Sequence, residues 1–338
     1  MIVEMKTGAS KSEVNGVTDK AKSLGLGVQL NMGTDKVVVA LLGSNTGQIP
    51  TDIFAVLPGV ESVTRIMKPY KLASREFKPK NTVVPVDDLK VGGDKIIVMA
   101  GPCAVEDEAR LMEAARLVKE GGATVLRGGA FKPRTSPFSF QGLALAGLRL
   151  LKKAREEYGI PVITEVVDPH DVELVAEYAD ILQVGSRNMQ NFRLLTEISK
   201  INHPVVLKRG FSCTVTEWLN AADYLLAQGN EKVILCERGI RSFEDSVRFS
   251  MDISSLAVLK TVSHLPVIVD PSHAAGHHSY VPSIAKAAVA GGADGLLIEV
   301  HPNPKEALVD GLQSLTPQDF NKLMAELRPI AEAVGRGI

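Results

Sequence analysis

The chain has 338 residues, 45% of them hydrophobic and 23% charged, with a formal net charge of −1. That is ordinary globular composition, and the near-zero balance argues against a nucleic-acid or membrane-surface protein, which carries a broad basic excess. No apolar run reaches the roughly 20 residues that span a bilayer. The opening MIVEMKTGAS lacks the basic and apolar segments of a secretory signal, and an odd, sparse set of cysteines (Cys103, Cys213, Cys236) is no disulfide framework, so a reducing cytoplasm is expected.

Residues 1–67 read as a small unit of their own. MIVEMK, GVQLNM, KVVVALLG and GVESVTRIMK have strand character, with a short turn joining the middle two. SKSEVNGVTDKAKSLG has helical apolar spacing interrupted by one glycine, and TDIFAVLPG reads as a short helix. The order β-α-β-β-α-β is the ferredoxin-like pattern. Residues 68–94, mixed in charge and rich in prolines and glycines, read as a linker able to dock on the next domain. Over 95–338 short apolar runs alternate with amphipathic stretches of helix length. The runs are KIIVMAG, ATVLRGG, PVITEV, DILQVG, PVVLKRG, KVILCERG, PVIVDPSH and GLLIEVHP. Strand–helix alternation means a parallel sheet, and eight units predict an α/β fold of the (β/α)8 barrel type. A doubly wound open sheet is the alternative.

In such a barrel the chemistry sits at the C-terminal ends of the strands. The first run ends in Gly101-Pro102-Cys103, and the second in Arg127, followed by the loop RGGAFKPRTSPFSF. The third ends in Thr164-Glu165, the fourth in Gly185-Ser186-Arg187-Asn188 and the fifth in Lys208-Arg209. The sixth ends in Cys236-Glu237-Arg238, the seventh in Asp270-Pro271-Ser272-His273, and the eighth in Glu299 with His301 beyond. Many of these polar groups follow directly on β-branched runs, where an unpaired charge is costly. A rim of solvated charge is the competing reading.

Two subsets stand out. Arg127, Lys132, Arg134, Arg187, Lys208 and Arg238 are cations suited to phosphate and carboxylate. Three of them lie on the glycine- and proline-stiffened loop after the second run. Cys103, His273, Glu299 and Asp310 offer a thiolate, an imidazole and carboxylates, which suit a divalent transition metal (Mn, Fe, Co or Zn) better than Mg or Ca. Their spacing alone is a weak signal, and a buried structural thiol, the more common role for a lone cysteine, is the competing reading of Cys103. Six cations and a divalent ion, less one thiolate and two carboxylates, leave about +5, whereas one phosphate monoester carries roughly −1.5 to −2. Two anionic substrates side by side, one with a carboxylate, balance that better than one phosphosugar.

GPCAVE, RGGAFKPRTSPFSFQG, GSRNMQNF, LKRG, CERGIR, DPSH and IEVHP run in order through residues 101–302. Together they resemble 3-deoxy-D-arabino-heptulosonate 7-phosphate (DAHP) synthase, of the microbial type I-beta subclass with an N-terminal regulatory domain. The resemblance implies condensation of phosphoenolpyruvate with erythrose 4-phosphate on a metal-dependent barrel, the first step of the shikimate pathway. It implies Cys103, His273, Glu299 and Asp310 as metal ligands. Arg127, Lys132 and Lys208 would hold the phosphoenolpyruvate carboxylate region, with Arg187, Arg238 and the Ser186 backbone N–H on its phosphate. Arg134 and Thr135, with Ser136 nearby, would hold the erythrose phosphate. The sister family, which makes 3-deoxy-D-manno-octulosonate 8-phosphate from arabinose 5-phosphate, usually has Asn-Arg-Ser-Ser where this chain has Lys132-Pro133-Arg134-Thr135-Ser136. His277 and His278 stand where many relatives carry two basic residues.

Lys132 is expected as the general acid toward the aldehyde oxygen, with its pKa lowered among so many cations. Glu165 is either a group that orients water or a hydroxyl, or a structural ion-pair partner. Glu237 and Asp270 are expected to fix Arg238 and His273. The resemblance further implies a homotetramer, and feedback by tyrosine or phenylalanine bound between N-terminal domains. A non-enzymatic amino-acid sensor with a dead barrel, and a metal-dependent aldolase on one phosphosugar, are the competing classes.

Overall fold

The computed structural model describes residues 1–338 except 33–35, 44, 66–68 and 135. It divides into two compact units, Met1–Lys80 with Val262–His264, and Asn81–Thr261 with Leu265–Ile338.

The first unit runs β1 (Ile2–Met5), α1 (Lys11–Ser23), β2 (Gly27–Met32), β3 (Val37–Leu42), α2 (Asp52–Ala55) and β4 (Val60–Thr64). The strands form an antiparallel sheet in the order β2-β3-β1-β4, as the ferredoxin-like pattern requires. Helix α1 starts where Ser10 and Glu13 close a capping box. Its buried positions, Val14, Val17, Thr18 and Ala21, recur at helical spacing, and the apolar ones pack with Val3, Met5, Val39, Leu41 and Phe54. The turn expected between the middle strands, and the end of the strand expected over GVESVTRIMK, lie outside the described residues.

The second unit opens with a hairpin, β5 (Val84–Val86) and β6 (Leu89–Val91), within the stretch that reads as a linker. Eight strands follow: β7 (Ile97–Gly101), β8 (Val125–Arg127), β9 (Val162–Glu165), β10 (Ile181–Val184), β11 (Val205–Lys208), β12 (Val233–Glu237), β13 (Val267–Val269) and β14 (Gly295–Glu299). They pair in parallel, and β14 returns to β7, so the sheet is a closed barrel and not an open one. Between and after them lie α3 (Glu108–Glu120), α4 (Ala144–Tyr158), α5 (Val172–Tyr178), α6 (Phe192–Ser199), α7 (Val215–Leu226), α8 (Ile253–Val262), α9 (Pro271–Ala275), α10 (Val281–Ala290) and α11 (Pro317–Ala333).

The twofold alternation of a strand positions the site. Ile97, Met99, Val125, Ile163, Ile181, Val206, Ile234, Cys236, Ile268 and Leu297 face inward as one apolar cluster. Val84, Val86 and Val91 of the hairpin join it, which closes the N-terminal mouth. Two residues beyond an inward apolar position the chain places Arg127, Glu165, Gln183, Lys208, Arg238, Asp270 and Glu299. The interior thus changes from hydrocarbon to polar or charged groups along every one of those strands.

Candidate active site

The C-terminal ends of the strands enclose a cavity of about 560 Å³ lined by eight cations: Arg127, Lys132, Arg134, Arg187, Lys208, Arg238, Arg241 and Arg248. All six cations singled out from the sequence are among them, as are Ser136 and Ser186. Thr135 lies outside the described residues. The Arg134 Nη1 is buried with no hydrogen-bond partner among the described residues, a costly state for a donor that an incoming anion would relieve. Arg238 lies over two aromatic rings, its guanidinium carbon 3.9 Å from the centroid of Phe249 and 4.9 Å from that of Phe211. Burial pulls its pKa down to about 10.

Below and beside the cations, Cys103, His273, Glu299 and Asp310 each offer a ligand atom, all within 4.8 Å of one another. Cys103 Sγ is 3.4 Å from Asp310 Oδ2. His273 Nε2 is 3.4 Å from Glu299 Oε1 and 3.7 Å from Asp310 Oδ2. On the other side of the ring His273 Nδ1 meets Asp270 Oδ2 at 2.7 Å, so Nδ1 carries the proton and Nε2 turns its lone pair to the cluster. Asp270 Oδ2 also accepts from Lys208 Nζ at 2.6 Å, and Glu299 Oε1 from Arg127 Nη1 at 2.9 Å. Among the described residues this is the one group of donors close enough to hold a metal ion, and one soft, one borderline and two hard ligands fit a divalent transition metal.

The electrostatics agree with that reading. Burial pulls the His273 imidazole below its ordinary value, against the pull of Asp270 and Glu299, which keeps it in the neutral, ligating form. Burial, with the charge on Glu299, pushes the Cys103 thiol up to about 12; a cation at this point would reverse that and favour thiolate. Although burial opposes it, His273 and Lys208 hold Asp270 well below the usual carboxylate range.

Lys132 corrects an expectation. Its Nζ donates to Cys103 O at 3.0 Å and lies 3.1 Å from Cys103 Sγ. Burial acts to lower its pKa, but a charged Cys103 together with Glu165 and Glu299 outweighs it, and the value is raised. Of the surrounding cations Arg127 acts against the rise, and it is outweighed by Cys103 with the Glu165 and Glu299 carboxylates. Gly129 permits this seating: a Cβ there would come within 2.7 Å of Lys132 Cδ and 2.9 Å of Cys103 O.

Residues 73–334 match the DAHP synthetase I family, and residues 1–68 match the DAHP synthase ferredoxin-like domain. The chain belongs to the DAHP synthetase I family. Phospho-2-dehydro-3-deoxyheptonate aldolase of Thermotoga maritima is 47% identical over 335 residues, 99% of each chain. The crystal structure of DAHP synthase from that organism superposes with a TM-score of 0.79 at 46% identity, covering 99% of this chain and 98% of the other. A 2-dehydro-3-deoxyphosphooctonate aldolase of Geobacter sulfurreducens is 31% identical over 266 residues, 73% of this chain and 97% of its own.

Within this family member, adjacent residues serve opposite sides of the barrel wall. Glu237 does not fix Arg238, as expected, but accepts from Arg209 Nη1 at 2.8 Å and from Ser255 Oγ at 3.2 Å. The reason is strand parity: one residue from an inward Arg238, Glu237 points outward. Asp270 has the expected partner. Glu165 lines the cavity and accepts from Gln183 Nε2 at 3.3 Å; a Cβ on Gly185 would lie 2.1 Å from its Oε1, so glycine is what gives this carboxylate room. Gln183, Arg241, Arg248, Phe211 and Phe249 line the cavity without having been singled out from the sequence. Gln183 was legible as the inward residue two after Ile181.

Proposed function

We propose that this chain condenses phosphoenolpyruvate with erythrose 4-phosphate and water to give DAHP and inorganic phosphate, the entry step of aromatic amino-acid synthesis. The carrying observation is eight cations around one cavity, set over four metal-ligand groups. One phosphosugar would leave most of that charge unmet, because a phosphate monoester brings only about −2. The octulosonate reading is the second choice. The KPRTS stretch favours the four-carbon aldose, and the octulosonate relative matches only the barrel-sized share of the chain, whereas the heptulosonate relative matches all of it.

Cys103, His273, Glu299 and Asp310 would hold a divalent metal (Mn, Fe, Co or Zn), which when bound supplies Lewis-acid polarisation of an aldehyde. Arg127, Lys132 and Lys208 are assigned to the phosphoenolpyruvate carboxylate. Arg187, Arg238 and the Ser186 N–H are assigned to its phosphate, and Arg134, Thr135 and Ser136 to the phosphate of erythrose. This arrangement brings carbon 3 of phosphoenolpyruvate to the aldehyde carbon, where the new C–C bond forms. Lys132 Nζ gives a proton to the aldehyde oxygen. Positive charge develops at carbon 2, water adds there, and phosphate departs with C–O cleavage. Glu165, which also lines the cavity, is assigned to orient that water or a sugar hydroxyl.

The ferredoxin-like unit is assigned a tyrosine or phenylalanine effector and a part in a homotetramer. The boundaries 1–67, 68–94 and 95–338 are kept as the functional division. No helix among the described residues is long and apolar enough to cross a membrane, and the three cysteines are free, which supports the cytoplasm as the compartment. To test the reaction, the ultraviolet absorbance of phosphoenolpyruvate is followed after adding erythrose 4-phosphate or arabinose 5-phosphate, with EDTA and with Mn²⁺ restored. Loss with erythrose 4-phosphate that EDTA abolishes and Mn²⁺ restores is expected. Loss with arabinose 5-phosphate alone moves the chain to the octulosonate reaction, and no loss with either sinks both.

A further inference from the structure

The two carboxylates of the donor cluster each turn one oxygen inward and the other away. On Glu299, Oε1 lies 3.4 Å from His273 Nε2, while Oε2 accepts from Gln313 Nε2 at 2.5 Å. On Asp310, Oδ2 lies 3.4 Å from Cys103 Sγ, while Oδ1 accepts from Arg248 Nη1 at 3.3 Å. The same Nη1 donates to Gln313 Oε1 at 2.8 Å. A guanidinium can only donate, so it sets the Gln313 amide: oxygen toward Arg248, NH₂ toward Glu299. A continuous chain Asp310–Arg248–Gln313–Glu299 therefore ties down both outer oxygens and leaves both inner ones aimed at one point.

The geometry points to Arg248 and Gln313 as positioning residues that together aim the Glu299 and Asp310 carboxylates at a divalent ion. This rests on the metal reading of the site given above. Folding stability does not account for the arrangement, because a half-exposed ion pair of this length contributes little. Asp310 is held at φ 55°, in the left-handed region that non-glycine residues seldom occupy and that persists only where neighbours enforce it. Its carbonyl accepts from Ser314 Oγ at 3.1 Å, and Arg248 takes its side chain. Arg248 is itself seated. Its N–H donates to Ala275 O at 3.4 Å, and a Cβ on Gly276 would come within 2.5 Å of its own Cβ. It thus packs on α9, which carries His273, and reaches Asp310 directly and Glu299 through Gln313. Its side chain is joined to two of the four donors, and its backbone to the helix that carries a third.

The test is Co²⁺ titration of the full chain, following the thiolate-to-cobalt charge-transfer band and measuring affinity by competition with a chelator. Wild type, Arg248→Met, Gln313→Leu, the double variant and Arg248→Lys are compared, with the melting temperature of each metal-free protein. Outer groups of this kind typically change metal affinity about 10- to 100-fold. Arg248→Met is expected to weaken Co²⁺ within that range without lowering the metal-free melting temperature, and Gln313→Leu to weaken it likewise while lowering that temperature, because the buried Glu299 Oε2 loses a donor. The double variant should lose no more than the worse single one, and Arg248→Lys should recover part of the loss. Single variants that bind within twofold of wild type overturn the proposal, and so does a double loss equal to the product of the two. If Gln313→Leu fails to fold, the Arg248 variants decide. A wild-type protein with no Co²⁺-dependent band overturns the metal reading itself and this inference with it.

Discussion

At the N-terminal half of the barrel the inward side chains include Ile97, Val125, Ile163, Ile181, Val206, Ile234, Ile268 and Leu297, sealed by Val84, Val86 and Val91 of the hairpin. At the C-terminal half the same strands turn Arg127, Glu165, Gln183, Lys208, Arg238, Asp270 and Glu299 inward. The first set leaves water with no partner requirement and contributes stability in proportion to its apolar area. The second loses hydration that only partners or ligands can replace. Arg127 with Glu299, and Lys208 with Asp270, replace it within the protein. Arg134, Arg187 and Arg238 have no carboxylate ion-pair partner among the described residues, and these are the groups assigned to phosphates. One end holds the barrel together, and the other holds charge in readiness for substrate.

The largest effect should come from the charged end. Cys103→Ser removes the soft ligand and is expected to lower kcat/KM by about 10³-fold, the several kcal/mol attributed to Lewis-acid stabilisation. Steady-state kinetics in Mn²⁺ would check it, and the metal-free melting temperature should hardly move. The apolar end should answer in the opposite sense. Ile234→Ala is expected to cost about 2–5 kcal/mol in urea unfolding, with kcat/KM per folded molecule unchanged.

Much of this contrast was legible in the sequence because both halves obey the period of a strand. Each apolar run announced its strand, and the polar residue two beyond the last inward apolar one announced the site. Glu237 departs from its expected role because its parity along the strand, one residue from Arg238, turns it outward to Arg209. Arg241, Arg248 and Phe249 were invisible for a different reason. They lie in the loop between β12 and α8, which has no period, and its course is set by pairings such as Ile240 with Ser250 and the Phe249 N–H on Ala274 O. Gln313 was hidden likewise beyond β14, where a short 3-10 turn (Gly311–Gln313) brings it back beneath Glu299.

The smallest expected effect is a pH dependence at the apolar end. His203, just before β11, is held below its ordinary value of 6.5 by burial, against the acceptor Ala179 O at 2.9 Å. The unfolded chain therefore takes up this proton more readily than the folded one. The stability His203 contributes is complete above pH 6.5 and is lost as pH falls through the folded value. Melting temperatures at pH 7.5 and 5.5 should fall less for His203→Gln than for wild type; equal falls would remove His203 from the account.

The sharpest comparison uses two arginines at neighbouring strand ends, 4% and 3% exposed. Arg209 points outward to Glu237 and Asp252, each at 2.8 Å, and Arg238 points into the cavity. Each is changed to Met, and the urea midpoint and kcat/KM for phosphoenolpyruvate are measured side by side. Arg209→Met should cost about 3–5 kcal/mol of stability by stranding a buried carboxylate, with kcat/KM nearly unchanged. Arg238→Met should leave stability nearly unchanged and lower kcat/KM about 10- to 100-fold, the loss of a charged hydrogen bond to substrate. If both variants lose stability alike and Arg238→Met keeps its activity, the inward face of the strand ends is not the substrate site.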